Sequence, residues 1–150
     1  MILPKNLFQF FKQKKINFFV GVPDSLQKSL ESNLIKNKNH IVAANEGSAV
    51  AIASGYYTKT KKLPVVYMQN SGLGNSINPL VSILSKNVYK IPIILLIGWR
   101  GATGTKDEPQ HYQMGKITKK LLNLLDIEYC TLSNNSDLIR LSKLISKSKK

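Results

Sequence analysis

Leu63-Pro64-Val65-Val66-Tyr67-Met68-Gln69-Asn70-Ser71-Gly72-Leu73-Gly74-Asn75 passes from an apolar run into polar residues and glycines that open a helix. An apolar run of this length without alternation is the pattern of a strand buried on both faces, as in parallel sheets covered by crossover helices. Working outward, strand and helix signals alternate along the chain. Leu7, Phe8 and Phe11 space a first helix, and residues 16–21 form a short apolar strand. Pro23-Asp24-Ser25 opens a helix to about residue 34, with Asp24 placed to cap it and Gln27 in the capping-box position. Residues 40–44 read as a second strand, and Asn45 caps a helix to about residue 57. Downstream come a helix at 72–84 interrupted by Pro79, a fourth strand at 91–98 and a long loop from 99 to about 111. A helix at 113–125, a fifth strand at 128–132 and a closing helix at 136–146 complete the order. Strands separated by helices predict βαβ crossovers and a parallel sheet covered on both faces. The expected fold is therefore a three-layer α/β/α domain over residues 1–150 with a parallel sheet of five or six strands, the third and fourth central.

Composition narrows the function classes. The 150 residues are 43% hydrophobic and 20% charged, which suits one globular domain. Residues 91–99 are strongly apolar but contain Pro92 and lie between Lys90 and Arg100. That is about half the length of a membrane-spanning helix, so they read as a strand. Lys5 and Lys12 interrupt the apolar N-terminal stretch, which lacks a small-residue cleavage site and does not read as a signal peptide. Cys130 is the only cysteine, so no internal disulfide is possible and a cytoplasmic location is expected. The net charge of +14 comes from 22 basic and 8 acidic residues, yet only Arg100 and Arg140 are arginines. Scattered lysines read as a solvated surface, because base readout and phosphate forks favour arginine. Neither nucleic acid nor a membrane is expected as a partner.

Ligands of doubly wound sheets bind beyond the carboxyl ends of the strands. The unusual residues gather there: 21–24, Asn45-Glu46, 69–75 and 98–104. Gly72-Leu73-Gly74 begins like a dinucleotide fingerprint, but Ile77 stands where its third small residue belongs. There is no Walker A loop, no G-x-S-x-G elbow and no metal-ligand spacing among His40, His111 and Cys130. Glu46 opens a helix rich in small residues, and two readings stand. It complements the helix dipole, or it is a buried carboxylate with a raised pKa that shares a proton with a ligand. Asp24 reads equally as a cap or a proton-handling acid. His111 lies in the polar knot Asp107-Glu108-Pro109-Gln110-His111 at the end of a long loop, where function often sits.

Taken in order, Gly21-Val22-Pro23-Asp24-Ser25, Ala43-Ala44-Asn45-Glu46-Gly47-Ser48-Ala49 and Tyr67 to Asn75 resemble the phosphonopyruvate and sulfopyruvate decarboxylases, a thiamine-diphosphate-dependent family. Leu96-Ile97-Gly98-Trp99-Arg100-Gly101 and Lys106-Asp107-Glu108-Pro109-Gln110-His111 extend the match, which spans residues 16–130. The resemblance implies the pyrimidine-binding half of such an enzyme. By position it makes Glu46 the carboxylate that shares a proton with the aminopyrimidine of the cofactor. It makes Asp24 and His111 the catalytic groups that move protons on the substrate, and it sets Gln69, Asn70 and Ser71 beside the cofactor. Ser25 and Arg100 are the expected contacts to an anionic substrate head.

The family's magnesium-diphosphate signature, Gly-Asp-Gly followed by an Asn pair, does not occur in the 150 residues. The diphosphate- and Mg2+-binding domain is therefore expected on a partner, a β subunit, in a hetero-oligomer, or else the chain is a fragment of a longer enzyme. The expected reaction converts phosphonopyruvate to phosphonoacetaldehyde and CO2. The alternatives are a sulfopyruvate decarboxylase α subunit and a non-catalytic regulatory module that kept the fold.

Overall fold

The computed structural model describes residues 2–35 and 37–148. Lys36, and Lys149 and Lys150 of the basic tail, lie outside the described residues. Helix α1 (Pro4–Gln13) precedes strand β1 (Phe19–Gly21), and a 3-10 turn (Ser25–Gln27) leads into α2 (Lys28–Leu34). Strand β2 (His40–Val42), α3 (Glu46–Thr60), β3 (Val65–Gln69) and α4 (Gly72–Pro79) follow, with a π-helical turn at Leu80–Leu84. Strand β4 (Ile94–Gly98), α5 (Pro109–Leu124) and α6 (Asp137–Ser148) close the order.

The strands form one parallel sheet in the order β2-β1-β3-β4. Because successive side chains point to opposite faces, each inner strand feeds two cores. Phe19, Val65 and Tyr67 pack with Leu7, Phe10 and Phe11 of α1, Leu30 and Leu34 of α2, and Leu141 and Ile145 of α6. Val20, Val66 and Met68 pack on the opposite side with Ala49, Val50 and Ala53 of α3, Leu73 of α4 and Leu122 of α5. Helices thus cover both faces, and the α/β/α layering expected from the sequence is what forms.

Three expectations are corrected. Residues 128–132 make no strand, and among the described residues the sheet has four strands. Cys130 and Leu132 do pack against the α1/α2/α6 core, but Tyr129 is 37% exposed and no ladder bonds tie the segment to β4. As a result β4 lies at an edge, and β1 and β3 are the inner strands. The long loop after β4 is shorter than expected, because Pro109 takes the first helical position of α5 and puts His111 in its first turn. The break at Pro79 falls where its missing N–H predicts, with the backbone re-pairing as the π-helical turn.

Candidate functional site

The four strand ends deliver the candidate residues to one edge of the sheet, in two groups. The first is built around Glu46. Asn45 is extended and its Oδ1 accepts from the Ser48 amide at 2.9 Å, so α3 begins at Glu46. The Glu46 carboxylate lies between the N-termini of α3 and α4, where Oε2 accepts from Asn75 Nδ2 at 2.8 Å. Gly72, the first residue of α4, makes the room. A Cβ there would lie 2.4 Å from Glu46 Cγ and 2.6 Å from Cδ and Oε1. Oε1 has no hydrogen-bond partner among the described residues. Glu46 is half-buried in this chain. Beside it, Gln69 Nε2 donates to Ser71 Oγ at 2.8 Å on the exposed side of the β3 end.

The second group joins the ends of β1 and β4. Asp24 does not cap its helix; its side chain makes no capping bond. Instead its backbone N–H donates to Glu31 Oε1 at 2.7 Å, and its carboxylate turns inward, 5% exposed. Neither carboxylate oxygen has a partner of good geometry among the described residues. Burial pushes this pKa up; the amides of Leu26 and Ser25 and the charges of Arg100 and His111 oppose the shift without cancelling it. The carboxylate lies against Gly98, where a Cβ would meet Asp24 Oδ2 at 1.9 Å. Gln27 is no capping-box residue either. Its Nε2 donates to Met68 O at 3.2 Å and Leu96 O at 3.1 Å, bridging β3 and β4, and its Oε1 is left unpartnered.

Beyond β4, Arg100 reaches back to this loop. Its Nη1 donates to Ser25 Oγ at 3.2 Å and its Nη2 pairs with Asp107 Oδ1 at 2.8 Å. His111 Nδ1 lies 2.8 Å from the same Asp107 oxygen. Asp107 is held down to about 2, by the Gly101 amide first and also by His111, the Glu108 amide and Arg100. Gly101 allows the turn, with φ +66°, and Gly115 lets α5 close on it: a Cβ on Gly115 would sit 1.7 Å from Gly101 O.

The structure thus gathers Asp24, Ser25, Arg100 and His111, and separately Glu46, Gln69 and Ser71. Asn70 belongs to neither surface. Its side chain is wholly buried, and Nδ2 donates to Arg100 O and to Thr118 Oγ1, both at 2.9 Å. It ties the β4 exit to α5 rather than facing outward as a cofactor contact. Sequence reasoning gave no role to Asp107, Asn75 or Gly72. One signal was present for Asp107: Pro109 at a helix start places residues 107 and 111 one turn apart on the same side.

Several known proteins are similar to this chain as a whole. Residues 3–122 match the family described as "Thiamine pyrophosphate enzyme, N-terminal TPP binding domain". Phosphonopyruvate decarboxylase of Streptomyces hygroscopicus is 38% identical over 122 residues, covering 80% of this chain and 30% of that protein. The chain therefore spans 30% of that relative's length. Sulfopyruvate decarboxylase subunit alpha of Methanococcus maripaludis is 35% identical over 130 residues, covering 85% of this chain and 75% of that protein. Among solved structures, benzoylformate decarboxylase from Polynucleobacter necessarius aligns with a TM-score of 0.58 and 26% identity, covering 67% of this chain and 19% of that one.

Proposed function

The chain belongs to the thiamine pyrophosphate enzymes, as their N-terminal TPP-binding domain, and from that premise we propose that it is the pyrimidine-binding half of a decarboxylase acting on phosphonopyruvate, giving phosphonoacetaldehyde and CO2. The observation that carries this reading is the Glu46 carboxylate, held by Asn75 through one oxygen and cleared by Gly72 at the other. These residues suit the ring end of thiamine diphosphate. A carboxylate oxygen without a partner is the acceptor a protonated ring nitrogen needs, and Gln69 and Ser71 add polar groups beside it. When bound, the cofactor supplies the electron sink for loss of CO2 from a 2-oxoacid.

In this proposal Glu46 holds a proton at ring nitrogen N1′. Asp24 and the free face of His111 move protons at the reacting carbon; a carboxyl whose pKa is raised by burial is suited to donating one. Arg100, with Ser25 beside it, binds the anionic head of the substrate by charge and fork geometry. Mg2+ and the diphosphate are held by a diphosphate-binding β subunit in a hetero-oligomer, a reading supported by the "subunit alpha" name of the Methanococcus relative. Among the described residues no helix is long and apolar enough to cross a membrane.

Sulfopyruvate is the second reading for the substrate, supported by the relatives that carry that name. The same anion site fits a sulfonate, so the two readings are separated by comparing kcat/KM for the two 2-oxoacids. The mechanism itself is tested with Glu46→Gln in the assembled enzyme. Turnover and hydrogen–deuterium exchange at C2 of the bound cofactor are expected to fall by about two orders of magnitude or more, with stability little changed. Wild-type exchange in that variant would reduce Glu46 to a helix acid, and normal turnover by an assembly lacking the carboxylate would favour a different enzyme class.

A further inference from the structure

Asp107 is the hub of the Arg100 cluster. Its Oδ2 accepts from the Gly101 amide at 2.7 Å, and its Oδ1 accepts from the Glu108 amide and from Arg100 Nη2, both at 2.8 Å. The same Oδ1 lies 2.8 Å from His111 Nδ1. The side chain is only 12% exposed, so these contacts are sheltered from competing water. The surrounding backbone leaves it little freedom, because Pro109 starts α5 two residues before His111, and Gly101 and Gly115 bring the loop hard against that helix.

His111 Nδ1 also lies 3.2 Å from Arg100 Nε and 3.1 Å from Nη2. One imidazole nitrogen either donates or accepts, so the contacts to Arg100 and to Asp107 ask for opposite tautomers. As an acceptor, Nδ1 would set its lone pair against a carboxylate oxygen at 2.8 Å. As a donor, it satisfies that carboxylate, and Arg100 keeps Asp107 and Ser25 for its other protons. The Arg100 Nε–H that then goes without Nδ1 belongs to a side chain 18% exposed, which water can serve. The donor arrangement wins.

We infer that Asp107 is a positioning residue of the reaction, fixing His111 as its Nδ1–H tautomer so that Nε2 is the bare nitrogen offered to substrate, and aiming Arg100 at Ser25. The role in turnover rests on the decarboxylase reading above, whereas the tautomer is a property of this chain alone. His40 and His111 are the only histidines, so both imidazoles can be followed in the 15N-labelled chain by long-range proton–nitrogen correlation at a pH where they are neutral.

In the wild-type chain His111 is expected as Nδ1–H. In Asp107→Asn an amide NH2 can face Nδ1 and donate to it, so the population is expected to move to Nε2–H. In the assembled enzyme kcat/KM is then expected to fall about 100-fold, the low end of what a mispositioned acid–base group loses. Asp107→Glu keeps the charge one methylene further out; it is expected to retain the Nδ1–H form in part and to recover part of the lost turnover. It also provides the test if the Asn variant fails to fold. Finding His111 as Nε2–H in the wild type, or an unchanged tautomer in every folded variant at Asp107, overturns the inference. A tautomer that moves while kcat/KM holds removes Asp107 from the reaction. A wild-type assembly that decarboxylates neither 2-oxoacid sinks the decarboxylase reading and the turnover role with it, and is told apart because the tautomer is read without substrate or partner.

Discussion

Adding one methyl group at Gly72 tests the site without touching a charged residue. In Gly72→Ala the new Cβ would stand 2.4 Å from Glu46 Cγ, where ordinary contact begins near 3.4 Å. The Glu46 side chain must therefore retreat by about 1 Å or swing out of the cleft and give up its 2.8 Å bond to Asn75. Stability changes little, because two small effects oppose each other. Alanine in place of glycine favours a helix by up to about 1 kcal/mol. Loss of one part-exposed, charge-assisted hydrogen bond costs on the order of 1 kcal/mol. Activity is another matter. A misplacement of about 1 Å at a reacting group costs about 100-fold, or about 2.7 kcal/mol of barrier. The assay is kcat/KM of the assembled enzyme beside urea unfolding of the variant chain. A variant that unfolds like wild type and turns over within about threefold of it would refute the placement of Glu46 as the group that must meet the cofactor.

Three further outcomes follow from the buried polar groups. Asp24→Asn should raise stability at neutral pH while lowering activity, since burial holds the Asp24 pKa above its ordinary value. The folded state then binds the proton more tightly than the unfolded chain. The gain is absent below the unfolded pKa near 3.8 and grows as pH rises through the folded value; urea unfolding against pH shows it, and a gain confined to acid pH would contradict it. His40 has its pKa lowered by burial, and its Nε2 is 2.8 Å from Tyr67 Oη, whose own pKa is pushed up to about 12 by burial and by Glu31. Because burial disfavours its charged form, the contribution of neutral His40 is whole above about pH 6.5 and is lost as pH falls through the lower folded pKa; Tyr67→Phe, which removes the hydroxyl but keeps the ring, should cost about 0.5–1.5 kcal/mol in urea unfolding at pH 8 and leave that decline in place. Asn70→Ala should cost about 1–3 kcal/mol in thermal or urea unfolding, because Thr118 and the Arg100 carbonyl lose a buried donor.

The layering was legible because the inner strands carry it locally. Val65 to Met68 are apolar without interruption, and both faces of β3 prove to be buried. The helix start at Asn45 was legible for the same reason, since a cap is decided within three residues. What could not be read depended on partners far along the chain. Residues 128–132 have a strand's composition, but ladder pairing with β4 is not written in them. Gln27 has the spacing of a capping box, yet its targets are carbonyls 41 and 69 residues away. Asp24 looked like a cap because its sequence neighbours suit one; Gly98, across the sheet, is what makes space for an inward carboxylate. The candidate site was found by position at the strand ends, while its bonding waited on the fold.

The sheet ends at β2 on one side and β4 on the other, and each outer edge leaves backbone donors and acceptors without a strand partner among the described residues. Such edges can recruit a strand from another molecule. On the β2 side only three residues are available, with Ile41 and Val42 exposed, a length too short to template much. The charge of +14 does the rest at a distance, since like-charged copies repel before their edges can meet. That protection is ionic and has a range of about 10 Å at 0.1 M salt, shrinking to about 3 Å at 1 M. Association of this chain along its sheet edges is therefore expected to rise with salt, as counterions screen the charge that holds copies apart.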